Sequence, residues 1–278
     1  MRKGNTANAR ECALSVLVAC RRNGAWADAA LKAQLGKCAL SAQDAALCSR
    51  IVYGVMQNEL LLNWYLSAYC TQKLDHLQPP LSDILRIGAY QILFLDKVPD
   101  HAAVSESVEL CRTNGRSAAS GLVNAVLRKA CSYDLNTASF KNEVERLMVL
   151  GSAGRDVAEF LHKNYPDEAL DILTYKADGG MTSLRANPLK TSVEELCTKL
   201  LTSGAKEAKP GVMPGSVLAR FEGSPAENEL FRQGYFHVEG QASQLAALCV
   251  EAKPGETVID LCAAPGGKTV LLAEQMQN

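Results

Sequence analysis

Val258-Ile259-Asp260-Leu261-Cys262-Ala263-Ala264-Pro265-Gly266-Gly267-Lys268-Thr269, near the C-terminal end of the 278 residues, decides how the chain is read. Val258 to Leu261 is a short apolar run with one acid, the pattern of a buried parallel strand. It passes into a turn of small residues with two glycines, and Thr269 opens a helical stretch from Val270 to Met276. Strand, glycine turn and helix start together make a cradle of the nucleotide-binding kind, because small side chains let backbone N–H groups come close to a ligand.

Two ligands compete for such a cradle, and a tight strand–helix connection with no ligand is the bland alternative. Gly267-Lys268-Thr269 has the tail of a phosphate-wrapping Walker A loop. That loop needs a glycine five positions before its second glycine. Here the position is Cys262, whose Cβ would sit where the turn needs none. The other candidate is S-adenosylmethionine, its amino-acid end lying across the amides of Ala263 to Lys268. The string Asp260-Leu261-Cys262-Ala263-Ala264-Pro265-Gly266-Gly267-Lys268-Thr269 resembles motif I of the RNA 5-methylcytosine methyltransferases. The resemblance implies S-adenosyl-L-methionine as cofactor, bound by Cys262, Ala263, Ala264, Pro265, Gly266, Gly267 and Lys268.

It also implies a chemistry. C5 of cytosine is too weak a nucleophile to attack a methylsulfonium unaided, and a thiolate adding to C6 makes C5 enamine-like. The family supplies that thiolate and the eliminating base from a Pro-Cys and a Thr-Cys dipeptide after motif I. No cysteine here follows Pro or Thr, and Cys262 is the last one. No catalytic residue is therefore assigned. Cys262 lies inside the turn and reads as packing beside the methionine moiety. The expectation is a truncated methyltransferase of the RsmB (Sun, Fmu) branch, acting on small-subunit 16S rRNA in its full form and inactive as these 278 residues. A lone first strand has no ladder partners, so residues from about Glu256 should be frayed, swapped with another chain or covered by the preceding domain.

Outward from this stretch, residues 240–278 read as the start of a Rossmann-like methyltransferase domain. Residues 179–239 read as a small α/β domain: strands at Thr182–Ala186, Val217–Phe221 and Tyr235–Val238, and capping boxes at Thr191/Ser192 with Glu194/Glu195 and at Ser224-Pro225-Ala226-Glu227. Residues 139–178 form a helical connector. Residues 1–138 read as one domain, helical throughout from Asn5 to about Tyr133, and predict an all-α bundle. Within it Ser41 caps a long stretch that breaks near Asn58, Asp100 caps another helix, and Leu81–Leu95, an oily segment in which Arg86, Gly88 and Gln91 stand out, is placed at the centre. His101 reads as a first-turn helix residue.

The bundle resembles the NusB RNA-binding fold as fused to RNA methyltransferases, through Ile51-Val52-Tyr53-Gly54-Val55, Leu85-Arg86-Ile87-Gly88-Ala89-Tyr90-Gln91, Val98-Pro99-Asp100-His101-Ala102-Ala103-Val104 and Gly121-Leu122-Val123-Asn124-Ala125-Val126-Leu127-Arg128. The implied partner is small-subunit ribosomal RNA; a NusB-like antitermination factor without catalysis is the alternative function. Charge points the same way. The net charge of −1 divides into +4 up to Phe140 and −5 thereafter, so the first half is the RNA-facing part. Arg2, Lys3, Arg10, Arg21 and Arg22, with Arg112 and Arg116, are the candidate phosphate contacts.

The ten cysteines are scattered with no C-x-x-C pair, which excludes a zinc knuckle and a dense disulfide framework and leaves free thiols in a reducing, cytoplasmic setting. Arg2-Lys3 before an apolar run mimics a short export signal. Glu11 and Arg21-Arg22 pinch that run to nine residues, however, and Ala9, Cys12, Ala13, Val16, Leu17 and Cys20 fall on one helical stripe. No run reaches membrane-spanning length. A monomer is expected, or a dimer swapped through the incomplete C-terminal domain.

Overall fold

The computed structural model describes residues 8–70, 72–77, 79–133, 135–175 and 180–277. They fall into two compact units, Met1–Tyr175 and Lys176–Asn278.

The first unit is built of helices α1 (Ala9–Asn23), α2 (Ala27–Lys37), α3 (Ala42–Gln57), α4 (Glu59–Ser67), α5 (Leu81–Phe94), α6 (Asp100–Thr113), α7 (Ser120–Ala130), α8 (Glu143–Leu150), α9 (Arg155–Asn164) and α10 (Ala169–Thr174). The Asn8 side chain accepts from the Glu11 N–H to start α1, and Gly24, left-handed at φ 62°, stops it. The stripe that could pass for an export signal buries Ala9, Cys12, Ala13, Val16 and Leu17 against the bundle. Ser41 caps α3 by accepting from Asp44 N–H, and the long stretch breaks at Asn58. The start of α4 is then completed from far along the chain: the Ser152 hydroxyl accepts from the Leu60 and Leu61 N–H groups at 3.1 and 3.3 Å. The connector helices α8 to α10 thus belong to the first unit, with their own core of Leu147, Ala158, Leu161 and Ala169.

Helix α5 is the axis of the bundle, buried from Leu81 to Gln91 without a break. Each fully buried Leu or Ile contributes about 2 kcal/mol. The polar residues in this run need partners. Arg86, 1% exposed, donates to Asn63 Oδ1 at 2.8 Å and to Asp83 Oδ1 at 3.3 Å. Asp83 also pairs with Arg21 Nε at 2.5 Å, and Gln91 returns a hydrogen bond to the Ile87 carbonyl and accepts from Arg10 Nε at 2.7 Å.

The second unit holds β1 (Thr182–Ala186), α11 (Val193–Thr202), β2 (Glu207–Pro210), β3 (Ser216–Arg220), α12 (Glu229–Arg232), β4 (Phe236–Val238), α13 (Gln241–Leu248) and α14 (Gly267–Met276). The sheet is antiparallel throughout, in the order β2-β3-β1-β4, with Leu184 opposite Val217 and Val238. Leu184, Ala186, Leu196, Leu200, Val217, Ala219 and Phe236 make its core. Ala247, Ala252, Leu271 and Leu272 form a smaller core where α13 meets α14.

Four local expectations change. Asp100 is the first residue of α6 and makes no cap; Pro99 stands at the cap position with no side-chain bond to give. Ser224 accepts from Ala226 N–H, but Pro225–Glu227 is only a short 3-10 turn, and Asn228 caps α12 instead. Strand β2 is hidden in Glu207-Ala208-Lys209-Pro210 because an edge strand with half-exposed side chains has no apolar alternation to show. Val258–Leu261 is not a buried strand. It joins no ladder among the described residues, and Ile259 and Leu261 are 78% and 90% exposed. An unpaired segment cannot bury its N–H and C=O groups, so it stays in water, where they are solvated.

Candidate functional site

The glycine turn is organised by Asp260. Its Oδ1 accepts from the Cys262 N–H at 3.0 Å and its Oδ2 from the Thr269 hydroxyl at 2.7 Å. The carboxylate thus ties the two ends of the turn together. The Thr269 hydroxyl, the Cys262 amide and the nearby Lys268 hold its pKa below the usual aspartate value. Between the ends, Cys262, Ala263, Ala264 and Pro265 are exposed and Gly266 and Gly267 half-buried, with the Lys268 side chain in solvent.

The two glycines are there for different reasons. Gly266 has φ 110°, a conformation closed to other residues, and stands at the cap position of α14 with no side chain to cap it. Gly267 has no such angle. A Cβ built on it would lie 3.1 Å from Glu239 Oε1, a tight contact to which the buried carboxylate would have to yield by a few tenths of an ångström. The outcome is a helix start whose first amides carry no side-chain cap, facing a shell of small residues. Such a geometry receives an anionic or polar group on backbone N–H donors.

Behind the turn lies a buried ionic cluster that sequence reasoning missed. Arg185 of β1 donates through Nε to Glu239 Oε2 at 2.8 Å and through Nη1 to Glu274 of α14. Burial would lower the arginine pKa, but the bonds to Glu274 and Glu239 outweigh it and the net shift is upward. Leu184-Arg185-Ala186 carried no signal of it: alternation along a strand puts an arginine between two inward-facing apolar residues on the opposite face, where solvent is the default.

In the first unit the candidate phosphate contacts separate. Arg2 and Lys3 lie outside the described residues. Arg10 turns inward to Gln91 and Glu106. Arg21 bonds Asp83 and also Glu59 at 2.7 Å; burial pulls its pKa down, and the bonds to Glu59 and Asp83 raise it more. Arg112 pairs along its own exposed helix face with Glu109. Arg22 and Arg116 come together instead: both donate to the Pro79 carbonyl, at 3.3 and 3.1 Å. They line a cleft of about 450 Å³ with Leu14, Ser15, Val18, Pro79, Pro80, Asn114 and Gly115 among the described residues. A second cleft of about 440 Å³, with Gln72, His76 and Leu77, shares Gly115 and Arg116. His101 is exposed in the first turn of α6.

The cysteines are free thiols. Cys12, Cys38 and Cys48 gather where α1, α2 and α3 meet, with Cys12 and Cys38 sulfurs 2.6 Å apart. Burial and the neighbouring Cys38 push the Cys12 thiol up to about 12. Cys262 is exposed in the turn.

The NusB family model matches residues 7–132, so the helical bundle is a NusB-type domain. Along 97% of its length the chain is 30% identical to the probable ribosomal RNA small subunit methyltransferase B of Bacillus subtilis, covering 60% of that protein. It is equally 30% identical, over 97% of its length, to the Synechocystis protein of the same description, of which it covers 61%. The ribosomal RNA small subunit methyltransferase B of Erwinia tasmaniensis is 29% identical over 84% of the chain. The crystal structure of PH0851 shares the fold, with a TM-score of 0.68 at 24% identity over 99% of this chain and 62% of that one. Along nearly its whole length the chain is thus similar to proteins described as ribosomal RNA small subunit methyltransferase B, and it spans about 60% of the length of the first two.

Proposed function

We propose that this chain is part of an enzyme that methylates C5 of a cytosine in small-subunit ribosomal RNA, working in the cytoplasm with S-adenosyl-L-methionine as donor. The observation that carries the reading is the turn: a helix start with uncapped amides, bracketed by Asp260, in a homologue of proteins named as rRNA methyltransferases. The residues fit the donor's amino-acid end, because Gly266 and Gly267 leave the peptide bare and Ala263 and Ala264 add only methyl groups. Cys262 to Lys268 would hold it. When bound, the donor supplies an electrophilic methyl group. The residues here bind and orient; the thiolate for C6 and the base for C5 are assigned to none of these 278 residues, since no Pro-Cys or Thr-Cys occurs among them. The NusB-type domain would grip the RNA backbone through the Arg22–Arg116 cleft, where two guanidinium groups converge on the Pro79 carbonyl.

The test is transfer of labelled methyl from S-adenosylmethionine to small-subunit rRNA. A chain that continues past residue 278 and contains Pro-Cys and Thr-Cys should label cytosine C5, and the 278 residues alone should not. Labelling at a ribose or at another base would overturn the assignment.

A further inference from the structure

Glu239 is a buried carboxylate that the turn's own residues do not explain. It is 7% exposed, and its Oε1 has no hydrogen-bond partner among the described residues. Its backbone is fixed to the small sheet: its N–H donates to the Ser183 carbonyl at 3.2 Å, while its own carbonyl accepts from the Ser183 hydroxyl at 2.8 Å and from Gln244 Nε2 at 2.9 Å. From this platform Oε2 takes the Arg185 Nε bond, and Oε1 stands against Gly267, the first residue of α14. A negative group is favoured there, because the positive end of the helix has no cap of its own. Arg185 then reaches Glu274 in the last turns of the same helix. The same arginine thus ties Glu239 to Glu274 of α14, while the free Oε1 lies against the first residue of that helix.

We infer that Glu239 is a positioning residue for the methyl-donor cradle: its carboxylate sets where the first-turn amides of α14 stand, and Gly267 is glycine to admit it. The inference rests on the reading of the turn as a donor site. On this account the small sheet domain is the template against which the cradle is shaped.

The contact at 3.1 Å supplies a test in which two damaging changes compensate. Gly267→Ala alone should crowd the Glu239 carboxylate, which is held by Arg185 and has little room to give, and so loosen the helix start. In the full 278-residue chain, exchange of the Val270 and Leu271 amides should then quicken about tenfold. The Val270 N–H donates to the Gly266 carbonyl at 2.9 Å and so reports directly on the first turn. Combined with Glu239→Ala, the same Gly267→Ala should quicken exchange by less than about threefold relative to Glu239→Ala alone. If Glu239→Ala does not fold, Glu239→Asp serves in its place, since it keeps a charge for Arg185 and withdraws the carboxylate by one methylene. Glu239→Gln, of unchanged size, should give no relief. Equal quickening by Gly267→Ala in every background overturns the inference. S-adenosylmethionine binding, followed by calorimetry on a chain that extends past residue 278 and carries the same substitutions, is the second readout. Affinity should fall with Gly267→Ala and recover in the compensated pair. Compensation in exchange with no binding by the unsubstituted extended chain sinks the donor reading and leaves the positioning of α14 standing. Binding that no substitution alters, with no compensation, does the reverse.

Discussion

Two stretches of this chain look alike as sequence and end in opposite places. Leu81–Gln91 and Val258–Leu261 are both apolar runs interrupted by charge, and both read as interior. The first is buried along its whole length at the centre of the bundle. The second stands in solvent, with Leu261 90% exposed. The difference lies in what surrounds them. Helix α5 satisfies its backbone within itself, so it needs only side-chain partners, and α1, α4, α6 and α7 provide them. A strand must borrow its hydrogen bonds from another strand, and none of the four in the sheet offers them. Apolar composition thus marks a wish for burial, while fulfilment depends on segments far along the chain.

The sharpest way to break this contrast is to truncate one leucine in each stretch. Leu85→Ala removes a fully buried side chain and should cost about 3 kcal/mol. Leu261→Ala should change stability by less than about 0.5 kcal/mol. Urea unfolding followed by circular dichroism compares the two. Equal losses would mean that Leu261 has a covering partner that the exposed geometry does not contain.

A smaller effect separates two neighbouring arginines. Arg21→Ala should destabilise the bundle by about 2 kcal/mol, because buried Asp83 then loses one of the two arginines that pair with it, Arg86 remaining. Arg22→Ala leaves the ionic network intact and should be near neutral for folding. It should nevertheless weaken binding to rRNA and flatten the salt dependence by about one unit of slope. Titrations at several salt concentrations decide it: an unchanged slope for Arg22→Ala removes that residue from the interface, and a stability loss equal to that of Arg21→Ala gives it an internal role.

These arginines also show where sequence reading stops. The helices, the break at Asn58 and the caps at Ser41 and Ser192 were legible because period and capping chemistry are local. The stripe of α1 was enough to set an export signal aside. That Arg10 and Arg21 face inward was not legible, since their partners Gln91, Glu59 and Asp83 lie 38 to 81 positions away. The turn itself was found from its string of small residues. The reason for Gly267, and the Arg185–Glu239–Glu274 cluster behind it, required knowing that β1, the residue after β4 and α14 converge. β2 escaped for the opposite reason, since an edge strand carries no apolar pattern to detect.

The finest distinction concerns the turn alone, and pH exposes it. Asp260 is engaged as a carboxylate by one hydroxyl and one amide, so its folded pKa lies below its unfolded value of about 3.9. A group depressed in this way contributes order that is fully present above the unfolded value and disappears as pH falls through the lower folded one. The bundle has no comparable dependence on this carboxylate. Lowering the pH below about 4 should therefore release the Cys262 amide and the Thr269 hydroxyl before it affects α5. In a nuclear magnetic resonance titration the Cys262 amide shift should move with a midpoint below that of a free aspartate, and Asp260→Asn should abolish the movement. A midpoint at or above the ordinary value would mean that the carboxylate does not hold the turn, and the bare amides of Ala263 to Lys268 would then have nothing to keep them in a donor-binding shape.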